Sequence, residues 1–136
     1  MKAYKLFVLF AAMVFVISCK NENVQPGVSQ SQIVARWRIA KDSAANLLNG
    51  ALTNANVYVG RADDYYDFRA DGKCYIHENG SFDTLAYKIV TDNSVAFGNE
   101  LPSTINPLTS HSATIDFSFA QGPGLTTYSK TVFLTK

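Results

Sequence analysis

The chain has 136 residues, twelve Lys and Arg against eleven Asp and Glu, and a formal net charge of +1. That length builds one domain with a single core, and so balanced a charge, with no basic cluster, excludes a phosphate-collecting nucleic-acid interface. Nine Phe, seven Tyr and one Trp must be taken out of water by a packed interior or by the walls of a cavity.

The N-terminal segment opens with Lys2 and Lys5, continues as an apolar run from Leu6 to Ile17, and ends at Ser18-Cys19. A basic head, a short apolar core and a small residue at the cleavage point describe a secretory signal peptide. The run falls short of the ~20 residues that cross a bilayer as a helix. Val16-Ile17-Ser18-Cys19 resembles the lipobox of bacterial lipoproteins, which implies removal of residues 1–18 and a diacylglyceryl group on Cys19. Several acyl chains hold a protein firmly at a membrane, so the expected location is exported and lipid-anchored at the outer membrane, on its periplasmic face or at the cell surface. Loss of Lys2 and Lys5 leaves ten basic groups against eleven acids, a mature charge near −1.

Residues 20–32 are polar, contain Pro26-Gly27 and lack hydrophobic periodicity. With Cys19 they read as a lipidated tether. Lys20 and Glu22 resemble the short charged tracts of surface-exported lipoproteins, but a single acid does not choose the leaflet. Cys74 is then the one thiol left, so no disulfide framework is expected. Its place in an alternating stretch makes it a small buried hydrophobe.

The folded domain is expected over 33–136. Ala35, Trp37 and Ile39 alternate with Arg36 and Arg38, which predicts a half-buried strand. Asp42 and Ser43 can cap a two-turn helix ending near Gly50, followed by a loop to Asn56. From Tyr65 the pattern is β. Tyr65–Arg69 and Lys73–His77 flank an Asp71-Gly72 hairpin turn, and Asn79-Gly80 repeats the device. Phe82–Thr91 follows, with Leu85, Tyr87 and Ile89 on one side, then Asp92-Asn93 and Ser94–Phe97. Pro102 and Pro107 predict a loop or broken edge strand over 98–107. Residues 113–119 alternate, Gly122-Pro123-Gly124 turns, and 126–135 ends the chain as a strand. Short strands joined by turns predict an all-β, antiparallel up-and-down meander. It would close into an eight-stranded barrel, which removes exposed edges, or remain an open curved sheet.

Ile33-Val34-Ala35-Arg36-Trp37, Tyr66-x-Phe68-x-x-Asp71-Gly72 and Ala86-Tyr87-Lys88-Ile89 with Asp92 resemble the ordered motifs of small lipocalin-like domain lipoproteins of the Bacteroidetes type. The resemblance covers roughly residues 33–136. It departs at Ala35, where the pattern has Gly, and in a longer insertion over 44–60. It implies an eight-stranded barrel or half-barrel with a modest cavity, and places Trp37 across the barrel floor. It implies no activity.

The candidate cavity-lining residues are Trp37, Tyr66, Phe68, Ile76, Tyr87, Ile89, Phe97, Ile115, Phe117 and Leu134. Inward tyrosines need partners for their hydroxyls, which points to a polar group or water within. Asp63, Asp64, Asp67 and His77 lack a Gly-punctuated calcium loop and the ordered N or S ligands zinc requires, so they read as solvated charge and no metal is expected. His111 lies in a polar loop, and no Ser-His-Asp or Cys-His grouping can be placed from spacing. The expectation is a non-catalytic cell-envelope lipoprotein without cofactor, whose barrel binds a small, mostly apolar ligand, with residues 42–56 as a lid. The competing expectation is an accessory protein with a solid core that binds another envelope protein or a glycan through its outer surface.

Overall fold

Nine antiparallel strands follow one turn of helix in the computed structural model, which describes residues 29–120 and 126–136. The expected signal peptide, Cys19, most of the expected tether and the expected turn at Gly122-Pro123-Gly124 lie outside the described residues. The elements are α1 (Gln30–Ile33), β1 (Ala35–Leu48), β2 (Ala51–Val59), β3 (Tyr65–Phe68), β4 (Lys73–Glu78), β5 (Ser81–Thr91), β6 (Ser94–Phe97), β7 (Ser103–Leu108), β8 (Ser112–Ala120) and β9 (Thr126–Thr135). The last residues assigned to the tether thus belong to α1, whose Ile33 is buried.

Strands β3 to β9 form a meander, and β9 returns to pair with β1. The result is a closed eight-stranded barrel with β2 as an extra strand outside the ring. Closure settles the choice between barrel and open sheet. Pro107, in a cis peptide bond with Asn106, leaves β7 within the wall. The β7–β8 ladder shifts register between Ile105 and Leu108, so the expected loop holds over 98–102, whereas 103–108 is an interrupted wall strand and not an edge.

The expected helix over 42–50 is instead the second half of β1. Residues 41–48 pair with β2 on one side and with β9 on the other. Two complete ladders outweigh the preference of a two-turn helix that would be marginal alone. Asn49 and Gly50 carry φ of 51° and 78°, the left-handed pair of a type I′ hairpin turn. The expected loop up to Asn56 is β2, so residues 42–56 are a paired β-hairpin of the sheet and not a separate lid.

The lower barrel is solid. Trp37, Ile39, Phe68, Cys74, Val95, Ile105, Ile115, Val132 and Leu134 are buried in one cluster. Trp37 is fully buried; its Nε1–H donates to the Ile33 carbonyl at 2.8 Å, so α1 and the indole together close the floor. The cation over the indole is Lys136, 4.3 Å from the ring centre. Arg36 lies over Tyr65 and pairs with Asp67 at 3.0 Å. Gly60 allows the chain to leave β2: an added Cβ there would land on the Ile39 carbonyl.

Trp37→Ala should cost about 3–5 kcal/mol of stability, the usual loss for a large buried aromatic, measured by urea unfolding followed in the far ultraviolet. A loss below about 1 kcal/mol would show that the floor does not depend on the indole.

Candidate functional site

Inward positions along each strand change character from floor to rim. On β9 the inward series runs Leu134, Val132, Lys130, Tyr128, and on β1 it runs Trp37, Ile39, Asp42, after a register shift between Ile39 and Lys41. On β4, Cys74 and Ile76 are followed by Glu78 on the same face. Three charged side chains therefore meet above the apolar core. Lys130 Nζ lies 3.1 Å from Asp42 Oδ2 and 2.6 Å from Glu78 Oε1. Asp42 is almost wholly buried, whereas Lys130 and Glu78 keep some exposure.

The triad holds two carboxylates and one ammonium. Burial, together with Asp42 beside it, raises the Glu78 pKa above the usual carboxylate value, and Lys130 only partly opposes this. Burial works against the Lys130 charge, but Glu78 and Asp42 outweigh it and the net shift is upward. Tyr66 is buried next to Glu78, and both burial and that charge push its phenol well above its ordinary value. The other buried inward tyrosine, Tyr87, donates its hydroxyl to the Arg69 carbonyl at 2.8 Å.

Three recesses adjoin at this end. One, of about 240 Å³, is lined by Leu85, Phe97, Leu101, Phe117 and Phe119 with Glu100 and Ser103. A second, of about 490 Å³, shares Leu85 with it and continues past Tyr66, Ile76 and Asp83 to Glu78 and Asn79. The third shares Glu78 and Asn79 and is lined by Asp42, Tyr58, Tyr128 and Lys130. An apolar recess thus leads into a polar one across the open end.

Of the expected lining residues, Tyr66, Ile76, Phe97 and Phe117 border these recesses. Trp37, Phe68, Tyr87, Ile115 and Leu134 are buried in the core, and Ile89 is half-buried against it. Sequence reasoning missed Asp42, Glu78 and Lys130, which are far apart in the chain. The available signal was parity, since Glu78 and Lys130 fall on the inward face of alternating strands.

Solvated charge describes Asp63, which is exposed, but not the other three members of the cluster. Asp64 and His77 are buried and Asp67 nearly so. Asp64 Oδ2 accepts the Tyr58 hydroxyl and the Arg61 N–H at 2.7 Å, while Oδ1 accepts the Asn79 N–H at 3.0 Å. Burial alone would raise the Asp64 pKa, but these bonds outweigh it and hold it below the usual value. His77 Nδ1–H donates to the Asp63 carbonyl at 2.7 Å, and its ring stacks on Phe82. Ligand atoms of Asp63, Asp64 and His77 lie within 4.8 Å of one another. Asp64 has both oxygens engaged and His77 Nδ1 faces a carbonyl, so the group works as a latch joining β2, the loop before β3 and the β4–β5 turn. Cys74 is a buried free thiol whose pKa is pushed up by burial and then by Asp67, the opposite of a reactive setting.

Comparison with known protein families, characterised proteins and solved structures finds no match to this chain.

Lys130→Met should cost about 3–5 kcal/mol at neutral pH, because it leaves two carboxylates facing each other without a cation. Part of that loss should be recovered on acidification. The raised Glu78 pKa means that the fold favours the protonated carboxyl, a contribution present below the unfolded pKa and lost as pH rises through the folded one. Denaturant midpoints of both proteins across pH 4–8 read this directly. Asp64→Asn should cost about 2–4 kcal/mol at neutral pH by disrupting its buried bonds. Its gap from the parent should close as pH falls below ~4, since a lowered carboxylate pKa gives stability that is lost on protonation.

Proposed function

We propose that the protein is a non-catalytic binding barrel that takes a small, mostly apolar molecule at its open end. The observation that carries this reading is the apolar recess of about 240 Å³, which continues through a second recess to the Asp42–Lys130–Glu78 triad in a barrel whose opposite end is closed. Pockets for small molecules combine apolar walls with a few fixed polar groups. Here Phe97, Phe117, Phe119 and Leu101 supply the walls, and Asp42, Glu78 and Lys130 fix the polar end. The ordered motifs of the sequence support a lipocalin-like barrel, and Val16-Ile17-Ser18-Cys19 supports export and lipid anchoring at the outer membrane.

Native mass spectrometry of protein isolated from its own host should reveal a co-purifying small molecule. The neutral dye Nile red should bind, and Leu101→Glu, an exposed position on the recess wall, should weaken it about tenfold, or ~1.4 kcal/mol. Absence of any bound molecule together with no dye uptake overturns the reading.

A further inference from the structure

The extra strand β2 ends the sheet. Its ladder is with β1 alone, so along Ala51–Val59 its far edge has no partner among the described residues. The Gly60 N–H donates to the Ala40 carbonyl at 3.1 Å. Bonded and non-bonded pairs alternate along an antiparallel ladder. Asn56 and Tyr58 therefore spend their backbone groups on Ala44 and Asp42, while Ala55, Val57 and Val59 direct theirs away from β1.

Proteins shield such an edge with lysine, proline, an inward charge or a bulge. The strand ALTNANVYV has no charged residue, no Pro and no Gly. Its one irregularity is at Thr53, between the Asn46–Asn54 and Leu47–Leu52 pairs, and leaves residues 54–59 regular. Leu52, Val57 and Val59 are 64, 68 and 72% exposed. The ring itself hides its edges by closure, so this unshielded stretch departs from the plan of the molecule.

We propose that β2 is a dimerisation strand, pairing antiparallel with β2 of a second copy across a two-fold axis near Ala55. The strand is its own complement. Turned about Ala55, Asn54 comes opposite Asn56, and Val57 comes opposite Thr53, the extra residue at which the β1–β2 ladder is irregular. No like charges meet, and β-branched residues and amides face their own kind, the pairs that stabilise a ladder. The outward groups of Ala55 and Val57 are in phase for this register, and a two-fold contact of one patch with itself closes at two copies. The dimer joins two barrels into one continuous sheet and leaves both open ends free.

Disulfide trapping in cells making the full chain tests this. Ala55→Cys should give a covalent dimer on mild oxidation, well above the parent chain and above Thr131→Cys on the outer face of β9. Cys74 is buried and does not compete. Adding Val57→Pro removes an N–H that faces only the free edge, so the ladder with β1 survives and trapping should disappear. Blue-shifted Trp37 emission of the purified double variant reports an intact barrel, and Val57→Lys provides a second edge-blocking change if proline disturbs the fold. Trapping by Ala55→Cys no greater than by Thr131→Cys, or trapping that persists in both blocked variants, overturns the proposal. Neither outcome depends on whether the lumen holds a ligand.

Discussion

Everything in this fold hangs on β1 serving three neighbours at once. Its first residues, Ala35–Arg38, pair with β3, while Arg38–Leu48 pair with β9 and Lys41–Leu48 also pair with β2. The change of partner along one edge, from β3 to β2, occurs where the other ladder slips between Ile39 and Lys41. A bulge at such a point bends the strand and re-aims its side chains. Below it β1 directs Trp37 and Ile39 into the core; above it, Asp42 faces Lys130. Gly60 belongs to the same device, because only a residue without Cβ lets the chain pass the Ile39 carbonyl on its way to β3.

The two halves of the lumen obey different physics. Below, burial of rings and branched aliphatics supplies most of the stability. Above, charge and hydrogen bonding set geometry at little net gain, since the desolvation of a buried ion pair consumes most of its attraction. The Asp42–Lys130–Glu78 triad is thus better understood as a positioning element than as a source of stability. Asp64 is its counterpart outside the lumen. One buried carboxylate accepts from Tyr58, Arg61 and Asn79 and holds β2 and the β4–β5 turn against the same rim.

Most of the barrel was legible because its information is local. Asp71-Gly72, Asn79-Gly80 and Asp92-Asn93 mark turns, period-two alternation marks the strands between them, and the last strand falls on 126–135 as read. The second half of β1 and all of β2 were not legible. Ser43-Ala44-Ala45-Asn46-Leu47-Leu48 has the composition of a helix behind a plausible cap, and only tertiary ladders on both sides reverse that preference. Asn49-Gly50 was the contrary signal, the same dipeptide that marks the turn at 79–80. The triad escaped for another reason: Asp42 and Lys130 meet only where β1 and β9 close the ring, which no spacing along the chain encodes, while the latch residues were grouped in the sequence but their burial was not visible there.

Ring closure also governs the order in which the molecule can form. Arg38 lies opposite Thr135 and Leu48 opposite Thr126, so the final seam joins the first strand of the domain to its last. Bringing such distant segments together carries the largest loop-closure entropy in the fold, and barrels rich in such contacts fold slowly. The meander from β3 to β8 can assemble from neighbouring hairpins as soon as they exist. Trp37, however, stays without its complete floor until β9 arrives and brings Lys136 over the indole. Until then the chain is a curved sheet with two open edges and an exposed apolar face, a state in which misassembly competes with folding. The seam is therefore the most demanding pairing of the fold: it alone turns a curved sheet with two open edges into a closed ring.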